Sequence, residues 1–250
     1  GDLPKLVESL KDTDQVLWLN MDDELDEASV QEICDLFKIH PLVVEDIILE
    51  GQRAKIEDYD DYVFAVAKMI YYKEEELIME QVSFIIGQNY LLTFGEEVGD
   101  VFDDVRRRLR KDGSSLRKYK TDYLLYDLLD AIIDGYFATL EIIGEEIDAL
   151  EIQILKSSKD EDQYRIRKVK KNLLYIHKYS WPLRDVVSWL AKEDSEILGK
   201  FTARYFGDLN NLLMQVLDTT DTYREILSGL MELTISNISY RLNQVMKVLT

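Results

Sequence analysis

The stretch from about Glu196 to Thr250 constrains this chain most, because it contains no proline and keeps helical periodicity to its last residue. One seam runs Leu209, Leu213, Val216, Thr220, Tyr223, Leu227, Leu230 and Thr234 in alternating steps of four and three, the spacing of a bundle or coiled coil. A second seam takes over at Met231, Ile235, Ile238, Leu242, Val245 and Leu249. A third stripe at the same spacing carries Glu232, Ser236, Ser239, Asn243, Met246 and Thr250. A helix this long measures roughly 80 Å at 1.5 Å per residue, more than one compact domain needs. It therefore requires other helices or other subunits along its flanks. The third stripe is either an ordinary solvated face or a polar lining around a central axis. The final turn, Val245 to Thr250, lacks a C-cap, glycine or other stop signal, and we expect the chain to be a segment of a longer protein.

The 250 residues suffice for one large or two ordinary domains. A formal charge of −19 argues against a sequence-independent nucleic-acid binder, which needs clustered Lys and Arg, and suits attraction of cations. The single cysteine, Cys34, lies in an apolar-periodic segment and reads as a buried thiol; no internal disulfide is available to it. No apolar run reaches the roughly 18 residues of a membrane span, and Gly1 to Lys11 is polar, without a signal-peptide pattern.

Taken in order, Gln15 to Met21 predicts a strand and Asp26 or Glu27 opens a helix to Ile39, with Val30, Ile33, Cys34 and Phe37 on one face. His40-Pro41 breaks it and starts a second helix, on which Leu42, Val43, Ile47 and Ile48 are expected inside. Glu45 and Asp46 are adjacent there, so at least one must point outward. Strands follow between Lys55 and Phe94, with turns at Lys73 to Glu76 and Gly87 to Asn89. A helix is expected from about Val98 to Lys111, its basic end matching the helix dipole. Beyond Lys120 the pattern is helical. Thr121 to about Leu155 is acidic, and the helix after the turn at Ser157 to Lys159 opens basic and meets Pro182, so an antiparallel, salt-laced hairpin is expected, bent at the proline. The fold class is α+β: an αβα sandwich over residues 1–120, a helical hairpin over 121–193 and a long stalk helix over 194–250.

Catalytic chemistry is poorly provided for. There are two histidines, no Gly-rich phosphate loop and no nucleophile with a base, so an enzyme is the weakest class. His40 and His177 do not suggest zinc or copper. Carboxylate oxygen is abundant, and oxygen donors on rigid helices suit a hard ion such as Mg²⁺, which keeps several waters and touches one or two carboxylates. Surface charge explains most of these residues equally well.

Several segments together resemble the CorA magnesium and cobalt transporters: Leu36-Phe-Lys-Ile-His-Pro-Leu-Val-Val-Glu-Asp-Ile-Ile48, Tyr123-Leu-Leu-Tyr-Asp127 with Asp130, Trp181-Pro-Leu-Arg184, Tyr205-Phe206 with Asp208, and Asn243-Gln-Val-Met-Lys-Val-Leu-Thr250. No single one is specific, but they occur in order along the chain from about residue 30. The resemblance implies a funnel-shaped homopentamer at the inner membrane of a cell. This part would lie on the cytoplasmic side, and the membrane helices, with a Gly-Met-Asn signature, would follow Thr250. It implies inter-subunit metal sites in which Glu45 and Asp46 of one copy face Asp208 of the next, with Asp130 nearby. Some members carry a histidine where this chain has Leu212, which leaves a second site open. It also implies that Glu232, Ile235, Ser239, Asn243, Met246, Leu249 and Thr250 line the ion path. The expected ions are Mg²⁺, sensed and transported, and Co²⁺. A zinc-transporting relative and a soluble acidic coiled-coil scaffold are the alternatives.

Overall fold

The structure, a computed structural model, describes residues 3–10, 14–22, 26–96, 100–157, 159–192 and 197–249. Its centre is a five-stranded sheet built from β1 (Leu17–Met21), β2 (Lys55–Asp58), β3 (Tyr62–Lys73), β4 (Glu76–Gly87) and β5 (Tyr90–Gly95), ordered β1-β5-β4-β3-β2. β2 to β5 form an antiparallel meander, and β1 joins β5 in parallel, Leu17 beside Tyr90 and Met21 beside Phe94.

Side chains alternate across the pleat, so each strand feeds two cores. Phe64, Val66, Ile85, Leu92 and Phe94 face Val30, Cys34, Val43, Val44 and Ile47 of α2 (Glu27–Leu36) and α3 (Pro41–Ile48). Val63, Ala65, Ala67, Val82, Phe84 and Leu91 point the other way. There they meet α4 (Asp103–Arg110), α5 (Thr121–Ser157) and α6 (Asp160–Leu190). With helices on both sides, β3 and β4 read as nearly continuous apolar runs. Cys34 is fully buried, and burial pushes its thiol up to about 12, as expected of a structural cysteine.

The second core continues from the sheet into the bundle of α5, α6 and α7 (Lys200–Leu249). Gly199 N–H and the Thr202 hydroxyl both donate to Asp122 Oδ2 on α5, at 3.1 and 2.6 Å, so α5 caps the start of α7. That bond corrects the expected start near Glu196, itself outside the described residues. Buried Ile197 and Leu198 form a non-helical plug, and the helix begins at Lys200. From this cap α5 and α7 run side by side. At Gly144 they approach so closely that a Cβ would lie 2.6 Å from the Tyr223 hydroxyl.

Further corrections have local causes. The expected start of α4 near Val98 lies outside the described residues; α4 starts at Asp103, because Asp100 Oδ1 accepts from Phe102 N–H at 2.8 Å and the same carboxylate forks onto Arg106 at 2.6 and 2.5 Å, keeping 100–102 out of the helix. A helix α1 (Leu3–Leu10), with Leu3, Leu6, Val7 and Leu10 at helical spacing, occupies the polar-looking N-terminus. α6 runs through Pro182 without interruption, and the neighbouring Tyr179, Leu183 and Val186 are all packed into the core. The hairpin is less salt-laced than expected. Among the described residues the ion pair between its arms is Arg165 with Glu146 at 3.8 Å, because both arms turn their packed faces to α7.

Candidate metal centre

α3 presents the first pair of candidate ligands. His40 caps it, Nδ1 accepting from Leu42 N–H at 3.2 Å, and Pro41 supplies the first-turn geometry. Because Val43, Val44 and Ile47 turn inward, Glu45 lies exposed and Asp46 sits at the rim. Leu42, expected inside, is 56% exposed, since it shares the outer side of this short helix with Glu45 and Leu49. Asp46 is held within its own chain. Lys55 Nζ lies 2.5 Å from Oδ2, and Gln52 Nε2 donates to Oδ1 at 3.0 Å. The same ammonium reaches Glu57 Oε1 at 2.9 Å, while the Tyr59 hydroxyl donates to Glu57 Oε2 at 2.9 Å. Burial works against the charge of Lys55, but the bonds to Asp46 and Glu57 outweigh it and hold the ammonium above its ordinary range.

The second pair lies on the opposite side of the sheet. Asp208 is exposed on α7, and Asp130 is half-buried on α5. Tyr126 is within electrostatic reach of both; burial, reinforced by the negative charge of Asp130 and, more weakly, Asp208, pushes its phenol up to about 12. It belongs to an aromatic stack in which Tyr119 and Tyr123 lie 4.1 Å apart between centroids and Tyr205 contacts both Tyr123 and Tyr126. Burial, then repulsion from Asp134 and Asp127, raises Asp130 to about 6. Asp127, 3% exposed, is raised by burial against the opposing pull of Arg108, whose guanidinium approaches to 2.8 Å. An all-carboxylate, all-oxygen set suits a hard divalent ion. Within one protomer, however, the two pairs are kept apart by the sheet, and no group of three or more His, Cys, Asp or Glu able to hold a metal occurs among the described residues.

The rod divides in two. Its first seam is buried at Leu209, Leu213, Val216, Thr220, Leu227, Leu230 and Thr234, with Tyr223 partly so. Beyond it Ile235, Leu242, Val245 and Met246 are each at least 50% exposed. Glu232, Ser239 and Asn243 are exposed too; the side chain of Leu249 and all of Thr250 lie outside the described residues. None of the described helices is long and apolar enough to cross a membrane. Sequence reasoning missed Lys55, Gln52 and Arg108. The alternation in Lys55-Ile-Glu57 does place two opposite charges on one face of a strand, and that signal was available.

An αβα sandwich carrying a helical hairpin and a 50-residue rod is the fold of the soluble part of metal-ion transporters. The complete structure of the CorA magnesium transporter from Methanocaldococcus jannaschii matches 94% of this chain and 74% of its own with a TM-score of 0.82 at 24% identity. The ZntB cytoplasmic domain from Vibrio parahaemolyticus shares the fold, TM-score 0.77, over 91% of this chain and 90% of its own at 12% identity. Sequence narrows the class. The chain is 43% identical over 242 residues to the cobalt/magnesium transport protein CorA of Thermotoga maritima, covering 96% of this chain and 69% of the relative. It is 27% identical over 251 residues to the protein of the same description from Methanocaldococcus jannaschii, covering 99% and 78%. The profile of the CorA-like Mg²⁺ transporter protein family matches residues 13–250, and the chain belongs to that family.

Proposed function

We propose that this chain is the cation-sensing and inner-conduit part of a divalent-cation transporter, not an enzyme, and that it works as a homopentamer on the cytoplasmic side of the inner membrane. Mg²⁺ is both the transported and the sensed ion, and Co²⁺ is a second cargo. Residues 1–120 form the sensing sandwich, 121–193 the supporting hairpin and 194–250 the stalk that leads to the membrane.

The observation that carries this reading is the separation of the two carboxylate pairs within one protomer. Glu45 and Asp46 lie on one side of the sheet and Asp130 and Asp208 on the other, with Glu45 and Asp208 exposed. A single chain cannot bring them to one ion; two copies side by side can. Empty, the facing carboxylates repel and loosen the ring. Bridged by Mg²⁺, they hold it closed, and high internal Mg²⁺ stops its own entry. The ion can shift this equilibrium only by its differential affinity for the two arrangements. Five contacts of about 1 kcal/mol each add to several kcal/mol, enough to decide which state dominates. Along the axis, Glu232, Ser239 and Asn243 present carboxylate, hydroxyl and amide to an ion that parts with its water reluctantly. Ile235, Met246, Leu249 and Thr250 complete the lining.

The test uses the intact protein. Mg²⁺ should protect it from limited proteolysis, and Asp46→Ala combined with Asp208→Ala should weaken that protection, with pentamer formation in sedimentation depending on Mg²⁺ over EDTA. Protection unchanged in the double variant removes these residues as the sensor, and metal-blind assembly leaves only a scaffold.

A further inference from the structure

We propose that Lys55 is the built-in counter-cation of the Asp46 site, an ammonium that an arriving divalent ion must dislodge, and so the residue that sets the concentration at which the site fills. The inference rests on the reading of Asp46 as a metal ligand and adds to it a regulator carried by the same chain.

Both oxygens of Asp46 are already engaged, Oδ2 by Lys55 at 2.5 Å and Oδ1 by Gln52 at 3.0 Å. The ammonium is not there by chance. Lys55 opens the edge strand β2, is fixed opposite Val66 by the sheet register, and passes over the Phe64 ring at 5.4 Å from the centroid. Those constraints deliver Nζ to the gap between Asp46 and Glu57. Side-chain exposures of 28% for Lys55 and 24% for Asp46 leave the pair reachable from solvent yet partly shielded from screening.

Glu57 makes this pair an exchange device rather than a permanent block. A lysine bound only by Asp46 would lose its counter-ion when a metal took that carboxylate. Here Glu57 Oε1, 2.9 Å from the same nitrogen, is a second resting place, itself steadied by the Tyr59 hydroxyl. Mg²⁺ arrives, Asp46 Oδ2 passes from the ammonium to the ion's shell, and Lys55 turns fully to Glu57. No proton need move. The site's apparent affinity is its intrinsic affinity reduced by competition with an ammonium that cannot diffuse away. A monovalent ion gains too little from one carboxylate to win the same exchange, so the lysine also favours divalent ions.

Three variants of the intact protein and one label test this. Lys55→Met keeps the stem and removes the charge, and should lower the Mg²⁺ concentration for half-maximal protease protection by about tenfold, within the usual range of site coupling. Lys55→Arg should restore a threshold near that of the wild type. Asp46→Asn should weaken protection. In the wild type, reductive methylation of Lys55 read by mass spectrometry should rise with Mg²⁺, with the same midpoint as protection. If Asp46→Asn weakens protection while Lys55→Met leaves the midpoint in place, the lysine is not the regulator and the Asp46 ligand stands. If Asp46→Asn changes nothing, both fall. Should Lys55→Met fail to fold, the label decides: Lys55 reactivity that stays flat or drops with Mg²⁺ overturns the exchange.

Discussion

The two halves of α7 follow one sequence rule and meet opposite fates. From Leu209 to Thr234 the apolar seam is buried by α5 and α6 of the same chain; from Ile235 to Met246 residues of equal apolarity at the same spacing stand in the open. The difference is one of reach. α5 starts level with the Asp122 cap and passes Tyr223 at Gly144, so its last turn at Ser157 is level with about residue 236 of α7 at the shared rise of about 1.5 Å per residue. Past that level none of the described helices is left to cover the rod. Periodicity thus specifies which face is apolar and is silent about what covers it.

The largest effect should come from testing that boundary directly. Leu227→Ala opens a cavity in a fully buried position and should lower the unfolding free energy by about 2–5 kcal/mol. Leu242→Ala, 62% exposed, should change it by less than about 0.5 kcal/mol under the same conditions, dilute and in EDTA. Urea unfolding of both variants checks the pair. A loss at Leu242 as large as that at Leu227 would mean the outer half is covered even in the separated chain.

The same boundary marks how much was legible in the sequence. The strands, the His40-Pro41 restart and the inner seam could be read because pattern, cap and burial agree there. The start of α4 could not. Asp100 overrides the local helical pattern through bonds to Phe102 and Arg106 that spacing does not reveal. Asp122 is the same case at longer range, since its partners Gly199 and Thr202 are 77 and 80 residues away. At the candidate site, the carboxylates were visible as residue types on helices. The pairing of Asp46 with Lys55 and Gln52, and of neighbouring Asp127 with Arg108, comes from the sheet register and from α4 packing on α5, both tertiary facts.

Charge sharpens the comparison, because the covered half of the rod also shares its bed with half-buried acids. Asp130 is raised from 3.8 to about 6 by burial and by Asp134 and Asp127. The native state therefore holds this proton over a pH range in which the unfolded chain has lost it. Stability from this group is greatest below about pH 4 and falls as pH rises through about 6. Asp130→Asn removes the ionisation and relieves its neighbours. In EDTA, the stability of the wild type relative to Asp130→Asn should decline by on the order of 1–2 kcal/mol between pH 4 and 7, solvent screening included. Parallel pH profiles for the two proteins would show that the carboxyl is better solvated than its position implies. The opposite slope would place a cation beside it.

The smallest effect is expected at the boundary residue itself. Thr234 is fully buried at the end of the covered seam, and its hydroxyl donates to the Leu230 carbonyl one turn earlier, at 2.7 Å. Thr220 repeats the arrangement on Val216, also at 2.7 Å. A buried hydroxyl in an apolar seam suggests a bond to a neighbouring helix, but here its partner is in its own helix, and that carbonyl already belongs to the backbone ladder. Removing the hydroxyl leaves no donor or acceptor stranded, which is the circumstance that makes most polar deletions costly. Thr234→Val exchanges it for a methyl of similar shape at nearly equal helix propensity, so thermal unfolding should shift by less than about 0.5 kcal/mol, in either direction. A loss above about 1 kcal/mol would mean that Thr234 serves a polar neighbour outside its own helix, and that the end of the covered seam is held by a bond between helices as well as by apolar packing.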